Sequence, residues 1–389
     1  MLFHPRAFRA PRAPIAVLIA TALTVAAPWS LSSHAADMPA PGAKVAQPAR
    51  PDASIDAATR HKVLETLASK MIANYVFQEI GEKMAKSLRE HEKRGDYNQL
   101  ASANAFGEML TTHLQAISHD KHIRVVYSDR DVPEDTPPGA RPDAAEVEQM
   151  VAHERFRNYG VGRFERLPGN IALLELNGFA DPELGGEVMA GAMNLVANAD
   201  ALIVDLRRNG GGDPAMVALV CSYLFEGEPV HLNDLYYRRN NETRQYWTHA
   251  WVPGKRFGGS KPVYVLTSER TFSGAEEFSY NLKNLKRATL IGATTGGGAN
   301  PGDMFKVDQH FAVFIPTGRA ISPVTHTNWE GTGVAPDIAV PADQALLTAQ
   351  ILASKAVVLK MNDPQLKAMT ESKIGQLQAD LDKMKAAAK

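Results

Sequence analysis

Residues 201–225 read ALIVDLRRNGGGDPAMVALVCSYLF. ALIVDL is an unbroken apolar run, as expected of a central strand covered on both faces, and PAMVALVCSYLF reads as a helix. Between them, Arg207-Arg208-Asn209-Gly210-Gly211-Gly212-Asp213 allows a backbone whose N–H groups converge on one spot, because glycine adopts conformations closed to other residues. Such a nest binds an anion or stabilises an oxyanion, although a plain strand-to-helix turn needs the same glycines. No GxxxxGK[ST] and no GxGxxG accompanies it, which argues against a nucleotide phosphate cradle.

The same alternation continues on either side. NIALLELNGF (170–179) precedes the helical GGEVMAGAMNLVANA (185–199), and PVYVLTSE (262–269) precedes GAEEFSYNLKNL (274–285). Repeated strand and helix predict an α/β domain over residues 160–345. HLNDLYYRRNNETRQYWT (231–248) has strand-forming residues on both sides of Asn240-Asn241 and predicts a hairpin. Upstream, Val63, Leu64, Leu67 and Met71, then Ile80, Met84 and Leu88, then Phe106, Met109, Leu110, His113, Leu114 and Ile117 recur at helical spacing, which predicts a helical domain over 54–125. VPEDTPPGARPD (132–143) marks a Pro-rich linker, taken as 126–159. Ile374, Leu377, Leu381 and Met384 predict a helical tail, 346–389, docked on the core rather than pairing chains.

The chain begins with Arg6, Arg9 and Arg12, continues into PIAVLIATALTVAAPW and reaches Ser33-His34-Ala35. This reads as a signal peptide over 1–35, followed by a Pro- and Ala-rich linker to residue 53. The expected location is therefore exported, periplasmic or secreted, with no membrane insertion after cleavage. The 389 residues carry 42 Lys and Arg against 43 Asp and Glu, a formal charge of −1 that becomes −4 without the three leader arginines. That balance argues against nucleic acid as a partner. One cysteine excludes an internal disulfide framework and Cys-rich metal sites, and Cys221, inside an apolar run, reads as core.

Catalytic groups in α/β sheets gather at the carboxyl ends of strands, so the loops after ALIVDL and PVYVLTSE hold the candidates. Ser273 stands directly before a helical run. With Glu276 it matches the S-x-x-E capping box, and capping alone would explain it. The functional reading is a hydroxyl held at a helix N-terminus, in the manner of a nucleophile elbow without its G-x-S-x-G. A serine nucleophile needs a base, and Ser118-His119-Asp120-Lys121-His122 offers His119 and His122. The H-x-x-H spacing lacks HExxH and an evident third ligand, so no metal is expected, and Ser118-x-x-Lys121 lacks the motifs that would make it a site.

Together ALIVDLRRNGGGD, VYVLTSERTFSGAEEFSYNLKNLKRATLIGATTGGGANPGD (263–303) and NWEGTGVAPDI (328–338) resemble the C-terminal-processing, or tail-specific, serine peptidase family. The likeness is to the branch that includes interphotoreceptor retinoid-binding protein and the tricorn protease core. It covers roughly residues 55–345 and implies a crotonase- or ClpP-like spiral α/β core. By that resemblance Ser273 matches the nucleophile, and the backbone amides of Gly211 and Gly274 match the oxyanion donors. The family's lysine, in Thr-x-Gly-Lys-Gly, falls on Gly298 of Thr295-Gly296-Gly297-Gly298-Ala299, so a Ser–Lys dyad is excluded. The tricorn-like alternative implies His122 as base and Glu330 as its orienting carboxylate. The stretch between His122 and Asn170 is too short for the PDZ domain that captures substrate C-termini in other members.

The expected function is thus an exported serine peptidase acting on peptide or protein, with no cofactor; nothing in the sequence excludes a homo-oligomer. The rival readings are an apolar-ligand carrier, with Phe179, Tyr236, Tyr237 and Trp247 as lining, and an inactive scaffold on the same fold.

Overall fold

The computed structural model describes residues 51–135 and 143–387; the expected signal segment and the linker up to residue 50 lie outside the described residues. Three helices come first: α1 (Ala57–Asn74), α2 (Gln78–Lys93) and α3 (Ala103–Ser118). Asp56 caps α1 by accepting from the Thr59 N–H, and Ser102 caps α3 by accepting from that of Ala105. Strand β1 (Arg124–Tyr127) and helix α4 (Ala144–Phe156) follow. The α/β part then runs β2 (Val161–Leu167), β3 (Ile171–Leu176), α5 (Pro182–Val196), β4 (Ala201–Asp205) and α6 (Pro214–Ser222). Next come β5 (His231–Tyr237) and β6 (Glu242–Trp247), which pair as a hairpin closed over Asn240-Asn241, then β7 (Val263–Thr267), α7 (Gly274–Asn284) and β8 (Thr289–Gly292). The chain ends with β9 (Gly302–Asp308), β10 (Phe311–Pro316), β11 (Gly318–Ile321), β12 (Ile338–Ala339), α8 (Ala345–Val358) and α9 (Pro364–Ala387).

The main sheet has the order β12-β8-β7-β4-β3-β2, parallel throughout except for β2, which runs antiparallel on the edge. Period-two alternation divides its central strands between two cores. Leu202, Val204 and Val265 face Met193 of α5, Val217 and Cys221 of α6 and Phe278 of α7. Ile203 and Leu266 face the other way, onto Ala345, Ala349 and Ala353 of α8, whose small side chains let that helix lie close to the sheet. Leu377 and Leu381 of α9 pack on Ile351 of α8, so the tail docks. Cys221 is fully buried, and burial raises its thiol pKa, as for an inert core residue.

The organisation differs from the sequence-based expectation in two places. Residues 126–159 are not linker throughout: α4 begins at a capping box in which Asp143 and Glu146 bond each other's backbone N–H. None of its residues is buried, so it has no apolar stripe to reveal it. Nor is the helical domain made of residues 54–125 alone. β9 and β10 form a sheet with β1, and Phe305, Val307, Phe311, Val313 and Ile315 share one core with Leu67, Met71, Met84, Phe106 and Leu110. Met109 and Ile117, expected on the buried face of α3, lie at its exposed margin. The hairpin fills the open side of three helices too few to enclose their own apolar faces.

Candidate active site

The carboxyl ends of β4 and β7 lie side by side, and their loops are sewn together. Thr271 Oγ1 donates to Leu206 O (2.9 Å), Ser268 Oγ to Arg207 O (2.6 Å), and the Phe272 N–H to Asn209 O (3.1 Å). This brings Ser273 against the glycine loop. A Cβ on Gly211 would lie 2.7 Å from Ser273 Cβ and 2.8 Å from Gly274 N, and Gly211 has φ +109°, so no side chain fits there. Ser273 itself holds φ 53° and ψ −123°, a conformation costly for any residue with a Cβ. The Glu276 N–H that a capping hydroxyl would receive is bonded to the Ser273 carbonyl at 2.8 Å, so the hydroxyl is at most its second acceptor. Only the reciprocal half of the capping box serves a clear purpose: the Glu276 carboxylate accepts from the Ser273 N–H at 2.9 Å and pins the turn.

Glu276 also fixes the second wall. The same buried carboxylate accepts from Thr295 Oγ1 (2.5 Å) and from the N–H groups of Gly297 (2.6 Å) and Gly298 (2.8 Å). Burial raises its pKa, and these four donors oppose that shift. The 294–299 loop in turn carries the 328–334 loop. Buried Trp329 donates Nε1–H to Gly298 O (2.8 Å), the Gly331 N–H donates to Gly297 O (3.0 Å), and the Ala299 N–H donates to Glu330 Oε2 (2.6 Å).

The fourth segment is the turn between α3 and β1. His119 caps α3 in the left-handed region (φ 58°) and is exposed. Asp120 is fully buried; its Oδ1 accepts from the His122 N–H (3.0 Å), and its Oδ2 from Asn300 Nδ2 (2.8 Å) and Tyr75 Oη (3.3 Å). Lys121 Nζ donates to Gly296 O (2.6 Å), tying this turn to the 294–299 loop. The His122 ring is thereby held inward, 4.6 Å from the Phe272 ring and 5.8 Å from that of Phe314. Of the two histidines, His122 is the one in the site.

His122 and Ser273 line one cavity of about 610 Å³ with Gly210, Gly212, Pro214, Phe272, Met304 and Phe314, and with Tyr237 from the hairpin. Both His122 ring nitrogens lack a hydrogen-bond partner among the described residues, so the ring and the Ser273 hydroxyl share the cavity without yet being bonded. The carboxylate nearest the ring is that of Asp120, 3.5 Å from Oδ1 to Nδ1, a residue the sequence reading missed as an acid. Glu330 lies in the same cluster, with donor atoms of Asp120, His122 and Glu330 all within 4.8 Å of one another. Burial, with the neighbouring Asp120 charge, pushes the Glu330 carboxyl up to about 8.

Two further expectations are refined. Gly211 N–H donates to Asn209 Oδ1 (2.8 Å) and is not free in this conformation; the amides of Gly210 and Gly212, on the cavity wall, and of Gly274, at the start of α7, donate to nothing among the described residues. The place of the family lysine is already filled: a Cβ on Gly298 would come within 2.6 Å of His122 Cε1 and closer still to Phe272 Cζ. A lysine there and a histidine at 122 compete for one volume. Of the aromatic residues considered for a ligand pocket, Tyr237 lines the cavity, whereas Phe179 is core against Phe278 and Trp247 stacks on His231.

Residues 170–340 match the model of peptidase family S41, and residues 57–157 match the N-terminal domain of peptidase S41 in eukaryotic IRBP. The chain belongs to peptidase family S41. The two matched regions are the α/β part of this S41 chain and most of its helical part. Over 145 residues, 37% of its length, it is 28% identical to carboxyl-terminal-processing peptidase 2, chloroplastic, of Arabidopsis thaliana, and the match spans 27% of that curated relative. Mature CPAF shares the fold at TM-score 0.51 and 12% identity, over 80% of this chain and 98% of CPAF. The tricorn protease superposes at TM-score 0.43 and 14% identity, over 82% of this chain and 37% of tricorn. The fold class expected from the sequence, α/β with a helical N-terminal part and helical C-terminus, is the one found.

Proposed function

We propose that the protein is an exported serine peptidase, periplasmic or secreted, that cleaves peptide bonds by acyl transfer through Ser273. The observation that carries this reading is a serine hydroxyl on a strained turn, sharing a cavity with a buried imidazole whose two nitrogens have no hydrogen-bond partner among the described residues. Ser273 Oγ attacks the scissile carbonyl carbon while a His122 nitrogen takes its proton; His122 then passes that proton to the leaving amine, and water repeats the sequence to release the acyl group. Glu330 and Asp120 orient the ring, and the Asp120 carboxylate offsets its charge. The developing oxyanion is received by amides of the glycine nest and Gly274. Substrate binding has to bring Ser273 and His122 into hydrogen-bond range, a tightening common to sites observed empty of substrate.

The lining of Phe272, Met304, Phe314, Val126 and Tyr237 favours an apolar side chain beside the scissile bond, and hence a peptide or protein substrate with such a residue. Labelling with a fluorophosphonate probe tests the assignment. The wild-type chain is expected to label and Ser273→Ala not to. Equal labelling of the two, or none of either, removes the nucleophile; co-purified lipid without labelling would instead favour an apolar-ligand carrier.

A further inference from the structure

Asp120, His122 and Glu330 come from two segments far apart in sequence, yet one donor atom of each lies within 4.8 Å of the others. His122 is nine-tenths buried, with 10% of its side chain exposed, and neither Nδ1 nor Nε2 has a hydrogen-bond partner among the described residues. Glu330 Oε1 is likewise buried and unpartnered, although its Oε2 is bonded to Ala299. Buried polar atoms are nearly always paired, so orphans from two side chains converging on one place call for an occupant. No lysine or arginine among the described residues forms an ion pair with either Asp120 or Glu330. Two buried carboxylates therefore stand together with only a histidine between them.

We propose that Asp120, His122 and Glu330 form a binding site for a divalent transition-metal ion, Zn²⁺ foremost, whose occupancy withdraws His122 from the base role. An imidazole nitrogen and two carboxylate oxygens are all donor types that Zn²⁺ takes, and His122 borders the cavity from which a fourth ligand could come. Mg²⁺ and Ca²⁺ are disfavoured, since they require six or more oxygen ligands. Tetrahedral bonds of about 2.0 Å place neighbouring donors about 3.3 Å apart. His122 Nδ1 and Asp120 Oδ1, at 3.5 Å, are close to this, and a carboxylate oxygen of Glu330 lies within 4.8 Å of both residues' donor atoms. The sequence pair His119-x-x-His122 does not form the site, because His119 faces solvent. The regulatory consequence rests on the peptidase reading; the binding does not.

The chelator-treated full chain is titrated with Co²⁺, read by its visible d–d absorption, and with Zn²⁺ by calorimetry. A single saturable equivalent is expected, competed between the two ions. Loss of even an outer-shell partner costs about 10–100-fold in metal affinity, so removing a ligand should cost at least about 100-fold. Glu330→Gln and His122→Gln are both expected to show that loss while retaining the near-ultraviolet circular dichroism of the native fold. Ser273→Ala is expected to bind the metal as wild type does. Absence of saturable binding, or binding unchanged in both ligand variants, overturns the site. With activity as a second readout, Zn²⁺ should suppress fluorophosphonate labelling of Ser273 and a chelator restore it. Metal binding without any labelling in the chelated protein leaves the metal site standing and sinks the peptidase; labelling that saturating, stoichiometrically bound Zn²⁺ does not touch overturns the regulatory role.

Discussion

Replacing Gly298 with alanine adds one methyl group where the rings of His122 and Phe272 already meet. Gly298 does not occupy the left-handed region, so alanine brings no backbone strain and the variant tests packing alone. The new Cβ starts 2.6 Å from His122 Cε1 and 2.2 Å from Phe272 Cζ, and an ordinary contact begins near 3.4 Å, so the imidazole has to retreat by about 0.8 Å and the Phe272 ring by about 1.2 Å, unless the 294–299 loop yields. Overpacking of this kind costs about 1–3 kcal/mol of stability. Its effect on chemistry is larger in proportion, because displacing a catalytic group by about 1 Å can cost about 100-fold in rate. Gly298→Ala is therefore expected to lose about two orders of magnitude in kcat/KM on a chromogenic peptide, and a similar factor in the rate of fluorophosphonate labelling. The melting temperature should fall by only a few degrees. Gly375→Ala, on α9 with nothing near its added Cβ, serves as control and should gain stability by up to about 1 kcal/mol. If Gly298→Ala melts lower yet keeps wild-type kcat/KM, the ring has moved without consequence and His122 is not the base. If neither quantity changes, the packing argument itself fails.

The Glu276→Gln variant leaves at least one backbone N–H of the Ser273–Gly297–Gly298 set facing an amide donor; a loss of about 2–3 kcal/mol in urea denaturation, together with reduced labelling of Ser273, is expected. Glu277 is buried, and burial pushes its carboxyl up to about 8 from an ordinary 4.5. The folded state therefore holds a proton that the unfolded chain has released, so this residue costs stability progressively as pH rises from about 4.5 through 8. Glu277→Gln should flatten that decline, gaining no more than about 5 kcal/mol over wild type above pH 8 in melts across pH, and an unchanged pH profile would refute the assignment. Residues 51–130 expressed alone should show no cooperative unfolding, because Phe305, Val307, Phe311, Val313 and Ile315 complete their core; a sharp melt of that fragment would contradict the shared core.

The α/β part was legible because its signals are local. Leu202, Ile203 and Val204 are apolar in succession since both faces of β4 are covered, and the strand-to-helix turns carry glycine and a cap where the backbone demands them. Helix α4 was not legible, because an exposed helix has no stripe. β9 and β10 were assigned to the wrong core because their alternation shows that one face is buried but not against what. In the site, Ser273 stood out from its position before α7, and Glu330 entered through family likeness. Asp120 was passed over because nothing local marks an aspartate whose partners, Tyr75 and Asn300, lie in other segments.

By itself, the sequence determined that this chain builds an α/β domain, that its glycine loop and Ser273 each follow a strand, and that Gly298 leaves no lysine to act as base. Tertiary structure decided which histidine enters the site, that Gly211's amide is spent on Asn209 while those of Gly210 and Gly212 donate to nothing among the described residues, and that two carboxyl groups converge on one imidazole. The division follows from range. Apolar periodicity and backbone conformation are set by neighbours a few residues apart, whereas the environment of His122 is made by four segments that meet only when both cores close.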